Sequence, residues 1–333
     1  MAQYLLGIDG GGTKTEGILT DACGHILARR VTGASNPNDV TFPVAADRVA
    51  SLAEHLLVDA ALGGGACEVS LFAGIAGVVN QREALADALH RRLDGTAVSA
   101  IGVNSDAHIL LSAGLADGDG ACIICGTGSA CFLRLGHRII RIGGWGYLLD
   151  SGGNGYSIGR DAIETALRAH DGRGAPTTLS DRLTAHYGAP VETLISKIYS
   201  EGKPYIASCA PCVFAAAEED SDIAAALILN RNARDLAGYV NAAWAHMMEH
   251  CERTGAPLPE CLPVVMGGSI SQKAVGWVPL VRSLVDAMVP AALTIADTLP
   301  VLGALVEAAR PVQESISGGV DALRTALRAA LHV

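Results

Sequence analysis

The 333 residues predict an α/β protein made of two related units, and three observations carry that prediction. The opening thirty residues alternate and turn as a three-strand meander does, with strands expected over Tyr4–Asp9, Thr15–Thr20 and His25–Val31. The same pattern restarts near the middle of the chain: strand Ala121–Cys125, a turn at Gly126-Thr127-Gly128-Ser129, then strands Ala130–Leu135 and Arg138–Ile142. The length, finally, exceeds what one hydrophobic core usually supports.

Between the two meanders, apolar periodicity predicts a helix over 45–61, a strand over 68–73, a helix over 81–93 and a strand over 98–103, an order βββαβαβα by Gly114. Asp117-Gly118-Asp119-Gly120 is a polar, turn-rich joint. After the second meander a helical insertion is expected over about 156–250, with helices over 156–170 and 178–187 and a long run from about 204 to 250. A strand over 262–266 leads into Gly267-Gly268-Ser269, followed by a helix over 278–288, a strand over 292–295 and helices over 301–309 and 317–331. The divisions this suggests are 1–117, 118–310, and a terminal segment 311–333 packing back on the N-terminal domain. A glycine and hydroxyl turn between two strands in both halves makes duplication the economical explanation.

Composition narrows the function. Half of the residues are hydrophobic and 17% are charged, ample for buried cores. A net charge of −10 with no offsetting Lys/Arg cluster would repel a polyphosphate backbone, so a nucleic-acid partner is not expected. The start of the chain has no basic n-region, and apolar stretches such as 224–229 fall far short of the roughly 20 residues that span a bilayer. A soluble protein of the cytoplasm, without a membrane partner, is the expectation. The nine cysteines then read as free, mostly buried thiols. Cys122-x-x-Cys125 lies in an expected strand, where residues three apart point to opposite faces, so it is a poor zinc pair with the distant Cys209-x-x-Cys212.

The two glycine turns are the candidate chemistry. Glycine permits left-handed backbone and close approach, so such turns can form anion-binding nests. The hydroxyls of Thr13, Thr15, Thr127 and Ser129 would add donors, and Lys14 a positive charge. Either turn alone reads equally well as an ordinary hairpin; two equivalent ones favour phosphate binding. A P-loop needs its glycine spacing and then a helix, and a dinucleotide fingerprint also needs strand-turn-helix context. Here a strand follows each turn.

An ordered set of motifs resembles the family that includes N-acetylglucosamine kinases, glucosamine kinases and the ATPase activators of benzoyl-CoA reductase. Its members are Gly7-Ile8-Asp9-Gly10-Gly11-Gly12-Thr13-Lys14-Thr15, Ser35-Asn36-Pro37, Ala73-Gly74-Ile75-Ala76-Gly77, Asn104-Ser105-Asp106-Ala107, Gly126-Thr127-Gly128-Ser129, Gly143-Gly144-Trp145-Gly146, Val264-Val265-Met266-Gly267-Gly268-Ser269 and Pro300-Val301-Leu302-Gly303-Ala304-Leu305. The resemblance implies duplicated ribonuclease H-like (actin-like ATPase) domains, each a mixed five-stranded sheet flanked by helices, that close on ATP and a sugar. It implies Mg²⁺ as cofactor, a homodimer, and transfer to the C6 hydroxyl of an amino sugar, N-acetylglucosamine first and glucosamine next. An ATPase activator of a reductase or dehydratase, or a nucleotide-dependent sugar sensor, is the alternative.

Carried over residue by residue, the resemblance gives Gly11, Gly12, Thr13, Lys14, Thr127, Gly128, Ser129, Gly267, Gly268 and Ser269 to ATP. It gives Asn36, Gly77, Asp106, Gly144, Trp145, Gly146, Asp150 and Ser151 to the sugar. Asp9, ending the first strand beside the turn, would hold Mg²⁺, and Asp106 would take the proton of the attacking hydroxyl. Asp106 sits where an N-cap is the plain alternative, and Trp145 is expected in the core if it does not face the sugar ring. Relatives commonly read Gly-Asp-Glu-Gly-Ser-Gly where this chain has Asp150-Ser151-Gly152-Gly153-Asn154-Gly155, so Ser151 replaces a carboxylate and Asp150 is the nearest substitute. His108 is expected on the helix surface.

Overall fold

The computed structural model describes residues 2–62, 67–115, 118–136, 138–150, 152–296 and 299–331. The chain forms two compact units, one of residues 1–117 with 296–333 and one of residues 118–295.

The first unit begins with strands β1 (Ala2–Gly10), β2 (Lys14–Asp21) and β3 (Ile26–Gly33), then α1 (Phe42–Asp59), β4 (Cys67–Ile75), α2 (Arg82–Arg92), β5 (Val98–Asn104) and α3 (Asp106–Leu115). Its sheet runs β3-β2-β1-β4-β5, antiparallel across the meander and parallel from β1 through β4 to β5. Alternation along β1 assigns the faces. Leu6 and Ile8 pack with Leu52, Leu56 and Leu89 from α1 and α2. Leu5 points the other way, into a cluster with Val301, Leu305, Leu323 and Leu327.

The second unit repeats the plan with β6 (Gly120–Cys125), β7 (Ser129–Leu135) and β8 (Arg138–Ile142). The insertion follows as α4 (Gly155–His170), α5 (Leu179–Tyr187), α6 (Ile195–Ser208), α7 (Ala210–Glu219) and α8 (Ile223–Thr254). Then come β9 (Leu262–Gly267), α9 (Ser269–Lys273), α10 (Trp277–Asp286) and β10 (Ala291–Ile295). Its order, β10-β9-β6-β7-β8, matches the first sheet strand for strand, with β6 in the place of β1. The expected fold class is therefore what the chain adopts: two mixed five-stranded sheets flanked by helices.

Two expectations change. The helical run from 204 is three helices: Pro211 opens α7, and Asp222 caps α8 by accepting the Ala225 amide at 2.9 Å. The boundary expected at 310 lies at 295, because α11 (Val301–Ala309) and α12 (Gly319–Ala330) belong to the first unit. Among the described residues no helix is long and apolar enough to cross a membrane.

Candidate active site

In the first unit the turn Gly11–Thr13 joins β1 to β2 and is closed by the Gly11 amide donating to the Lys14 carbonyl at 2.9 Å. The Gly11 carbonyl accepts the amides of Ser35 and Asn36, and the Gly10 carbonyl accepts that of Ala76 at 2.7 Å, so both neighbouring motifs are pinned to the turn. Neither Gly11 nor Gly12 is left-handed. A Cβ on Gly12 would lie 2.5 Å from Asp39 Oδ2, so a side chain there would displace the exposed Asp39 carboxylate from its bond with Asn36. Gly12, Thr13 and Lys14 are exposed at the tip. Thr15 is buried instead, and its hydroxyl donates at 2.7 Å to the Gly33 carbonyl and contacts the Ser35 hydroxyl, so it braces the turn and offers no donor to a ligand. Lys14 is also engaged: its ammonium lies 3.0 Å from Glu16, which Arg29 pairs as well.

Asp9, next to last in β1, lies directly across from Glu16 in the ladder, so both carboxylates project on one face. Burial, then the charges of Asp106 and Glu16, push Asp9 up to about 7 against the pull of Lys14. Asp106 is the first residue of α3. The cap of that helix is Ser105, whose hydroxyl and carbonyl both accept the His108 amide, so Asp106 does not fill the capping role. Its carboxylate accepts the adjacent Ala107 amide at 2.9 Å, at the helix end that favours an anion. His108 is not on the surface as expected. It stacks on Phe72 and lies 3.3 Å from Glu307 of α11. Burial alone would raise Glu307; hydrogen bonds from His108 and Ser112 and the charges of His108 and Arg310 hold it at about 2.

Asn36 and Gly77 come together in this unit. A Cβ on Gly77 would fall 2.2 Å from Asn36 Oδ1 and 2.4 Å from Asn38 Nδ2, so both side-chain amides close on the glycine. Asn36 also accepts the Asn38 amide and donates to Asp39 at 2.7 Å. Asp39 was missed by sequence reasoning, although the polar run Asn36-Pro37-Asn38-Asp39 signals more than a turn.

In the second unit Gly267 pairs with Ile124, and Gly268 (φ 96°) is so close to β6 that a Cβ would lie 2.4 Å from the Cys125 carbonyl oxygen. The Gly126-Thr127-Gly128 turn therefore lies beside Gly267-Gly268-Ser269. A pocket of about 340 Å³ opens next to them, lined by Thr127, Ala210, Pro211, Phe214, Ile270 and Lys273 among others. It combines apolar walls, a glycine turn, a hydroxyl and a cation, which suits a nucleoside attached to phosphates. Its α7 wall carries no motif, so only the folded chain reveals it. Cys125 takes the position of Asp9 in the repeat; burial pushes its thiol up to about 12, and it donates to the Gly153 carbonyl. The duplicated turns thus differ chemically, and only the first has an acid at the strand end.

Ser129 is less available than expected: its hydroxyl donates to the Gly152 carbonyl at 2.5 Å and accepts from Asn154 Nδ2 at 3.0 Å. Asn154 in turn caps α4 through a reciprocal pair with Ser157, and the first α4 amides, Gly155 and Tyr156, donate to the carbonyls of Gly126 and Thr127. Trp145 is 62% exposed, not in the core. Left-handed Gly143, Gly144 and Gly146 carry the chain away from the sheet, and the Arg141 guanidinium covers the indole at 4.6 Å. Asp150 folds back on this segment, its carboxylate 3.4 Å from the Trp145 amide and 3.5 Å from the Tyr239 hydroxyl. Ser151 lies outside the described residues.

Asn232 of α8, also missed, holds this loop from below. It is 1% exposed; its Oδ1 accepts the Gly153 amide and the Ser157 hydroxyl, and its Nδ2 donates to Asp161 and to the Ile228 carbonyl. Asn232→Leu strands the Gly153 amide in the interior and takes one partner from Asp161, which keeps its ion pair with Arg160 at 2.7 Å, and a loss of about 1–3 kcal/mol in denaturant unfolding is expected. An unchanged midpoint and slope would show that the network adds nothing to stability.

Sheet order and duplicated turns define a duplicated α/β fold of two matching mixed five-stranded sheets, with an acidic strand end in the first. Residues 6–308 match the BadF/BadG/BcrA/BcrD ATPase family, and the chain belongs to it, as an N-acetylglucosamine kinase-like member. It is 34% identical over 247 residues to the N-acetylmuramic acid/N-acetylglucosamine kinase of Clostridium acetobutylicum, covering 70% of this chain and 77% of that one. The N-acetyl-D-glucosamine kinase of Dictyostelium discoideum is 29% identical over 289 residues, 82% of this chain and 87% of the relative. A solved structure from Chromobacterium violaceum, described as a candidate N-acetylglucosamine kinase, superposes with a TM-score of 0.70 at 24% identity over 92% of this chain and 99% of its own.

Proposed function

We propose that the protein transfers the γ-phosphoryl group of ATP to the C6 hydroxyl of an amino sugar, N-acetylglucosamine first and glucosamine next. The observation that carries this reading is Asp106 at the start of α3, relieved of capping by Ser105 and close enough in charge to raise Asp9. In this reading Asp106 accepts the hydroxyl proton as the sugar oxygen bonds to phosphorus and the bond to ADP breaks. Gly11, Gly12, Thr13 and Lys14 in one unit, and Thr127, Gly128, Ser129, Gly267, Gly268 and Ser269 in the other, serve the nucleotide. The exposure of Gly12–Lys14 and the pocket beside Ser269 support this, while the paired hydroxyl of Ser129 gives it a bracing share.

Asp9 fits Mg²⁺. A carboxylate held near 7 by burial and by two other acids gains full ionisation from a hard cation beside it. Magnesium takes few protein ligands and completes its shell with water and phosphate, so a single carboxylate suits it. When bound, Mg²⁺ neutralises charge on the phosphates. Asn36, Gly77, Gly144, Trp145, Gly146 and Asp150 are the sugar-side residues of this reading, supported by the Asn36–Gly77 contact and the fold of Asp150 onto the Trp145 amide. Ser151 keeps that role only from the resemblance, as do the homodimer and the cytoplasmic setting.

The test is sugar-stimulated ADP release from Mg-ATP with N-acetylglucosamine, glucosamine, N-acetylmannosamine, N-acetylmuramic acid and glucose. The first two are expected to stimulate most, and a phosphate at C6 should be seen by NMR. No stimulation by any of the five would end the kinase reading.

A further inference from the structure

We infer that Lys203 is a phosphate-binding residue of the second glycine turn, supplying the positive charge that Lys14 cannot give freely in the first. This deepens the kinase reading and rests on it. The backbone presents the side chain. Helix α6 is broken at Gly202, whose φ of 65° and ψ of −145° suit glycine alone, and Pro204 cannot continue the donor ladder across the break. Lys203 stands in that break. Its Nζ is the atom nearest to a Cβ built on Gly128, at 3.4 Å, so the ammonium hangs over the turn backbone with nothing between them.

The charge is available. Among the described residues no carboxylate lies within ion-pair distance of Lys203, whereas Lys14 is 3.0 Å from Glu16. Lys203 also lies 5.9 Å from the Tyr147 ring, in the segment that carries Trp145 and Asp150. A cation–π contact at a half-exposed site is weaker than a charge-assisted bond to phosphate, so the ammonium would leave the ring for a phosphoryl oxygen. The ligand chemistry follows from position. The turn below Lys203 borders the pocket of about 340 Å³ whose walls suit a nucleoside, so the anion is the polyphosphate of a nucleotide seated there.

Calorimetric titration of ATP and of adenosine into the wild-type protein, Lys203→Met and Lys203→Arg separates the outcomes. Lys203→Met is expected to weaken ATP about 10- to 100-fold while leaving adenosine unchanged, and Lys203→Arg to retain most of the ATP affinity. ATP affinity within about twofold of wild type in Lys203→Met overturns the proposal and leaves the kinase reading standing. Equal loss of ATP and adenosine overturns it too, since the lesion would then be structural. A wild-type protein that binds no ATP removes the kinase reading itself, and this role with it.

Discussion

Asp106→Asn is expected to lower kcat by about 10²–10⁴, the usual share of a positioned general base, while the fold is kept or slightly strengthened. The expectation of intact folding comes from the local bonds of α3. Ser105 caps the helix through its own hydroxyl, so the substitution removes no cap, and asparagine fills the same volume. The charge argument has a definite sign. Asp9 is raised to about 7 partly by Asp106, so the folded unit holds a proton that the unfolded chain releases near the ordinary value of 3.8. Stability attached to Asp9 is therefore complete at low pH and falls as pH rises through about 7. Removing the charge of Asp106 lowers that raised value and lessens the loss, so the variant should melt no lower than the wild type at pH 8. A large fall in kcat together with an unchanged or higher melting temperature is what a proton acceptor requires. Near-normal turnover would take Asp106 out of the role, and parallel loss of activity and stability would make it a structural residue.

Much of this site is written in local sequence. Period-two alternation around glycine turns marks both meanders, and each turn then falls at the end of a central strand, β1 or β6, because duplication preserves the order of pairing. Asp9 and Asp106 follow from the same logic, since strand ends and helix starts meet at one edge of such a sheet. What local pattern leaves open is which surface a side chain meets. Every residue of α11 is buried, so its sequence has no polar face to say which sheet it covers; packing with Leu5 and Ile18 decides, and moves the boundary from 310 to 295. Thr15 and Ser129 looked like ligand donors because their partners, Gly33 and Gly152, lie about twenty residues on along the chain. Trp145 looked like core because indole is large and apolar, but three left-handed glycines turn it outward. The helical run was expected to begin at about 204, whereas α6 begins at Ile195 and continues across the break at Gly202.

The largest effect on stability is expected at Gly303, where α11 crosses α3. A Cβ there would lie 1.8 Å from the Ile109 carbonyl oxygen, 2.7 Å from its carbon and 3.0 Å from the Ala113 amide nitrogen. All three are backbone atoms of a helix, so no rotamer change relieves the clash and the two helices must part. Gly303→Ala then disturbs a cluster in which Leu302, Leu305 and Val306 are all 0% exposed. Overpacking of this kind costs about 1–3 kcal/mol and sometimes more, against at most about 1 kcal/mol gained from alanine's helix propensity. Because α3 begins at Asp106, the displaced helix should also lower kcat, so activity and stability fall together, unlike in Asp106→Asn. Gly238 of α8 supplies the comparison. It is likewise helical, but a Cβ there meets nothing within 4 Å, so Gly238→Ala should stabilise the protein by roughly 0.5–1 kcal/mol. The same added methyl is thus expected to move the two unfolding midpoints in opposite directions. If Gly303→Ala instead rises alongside Gly238→Ala, the close crossing that seats Asp106 does not exist.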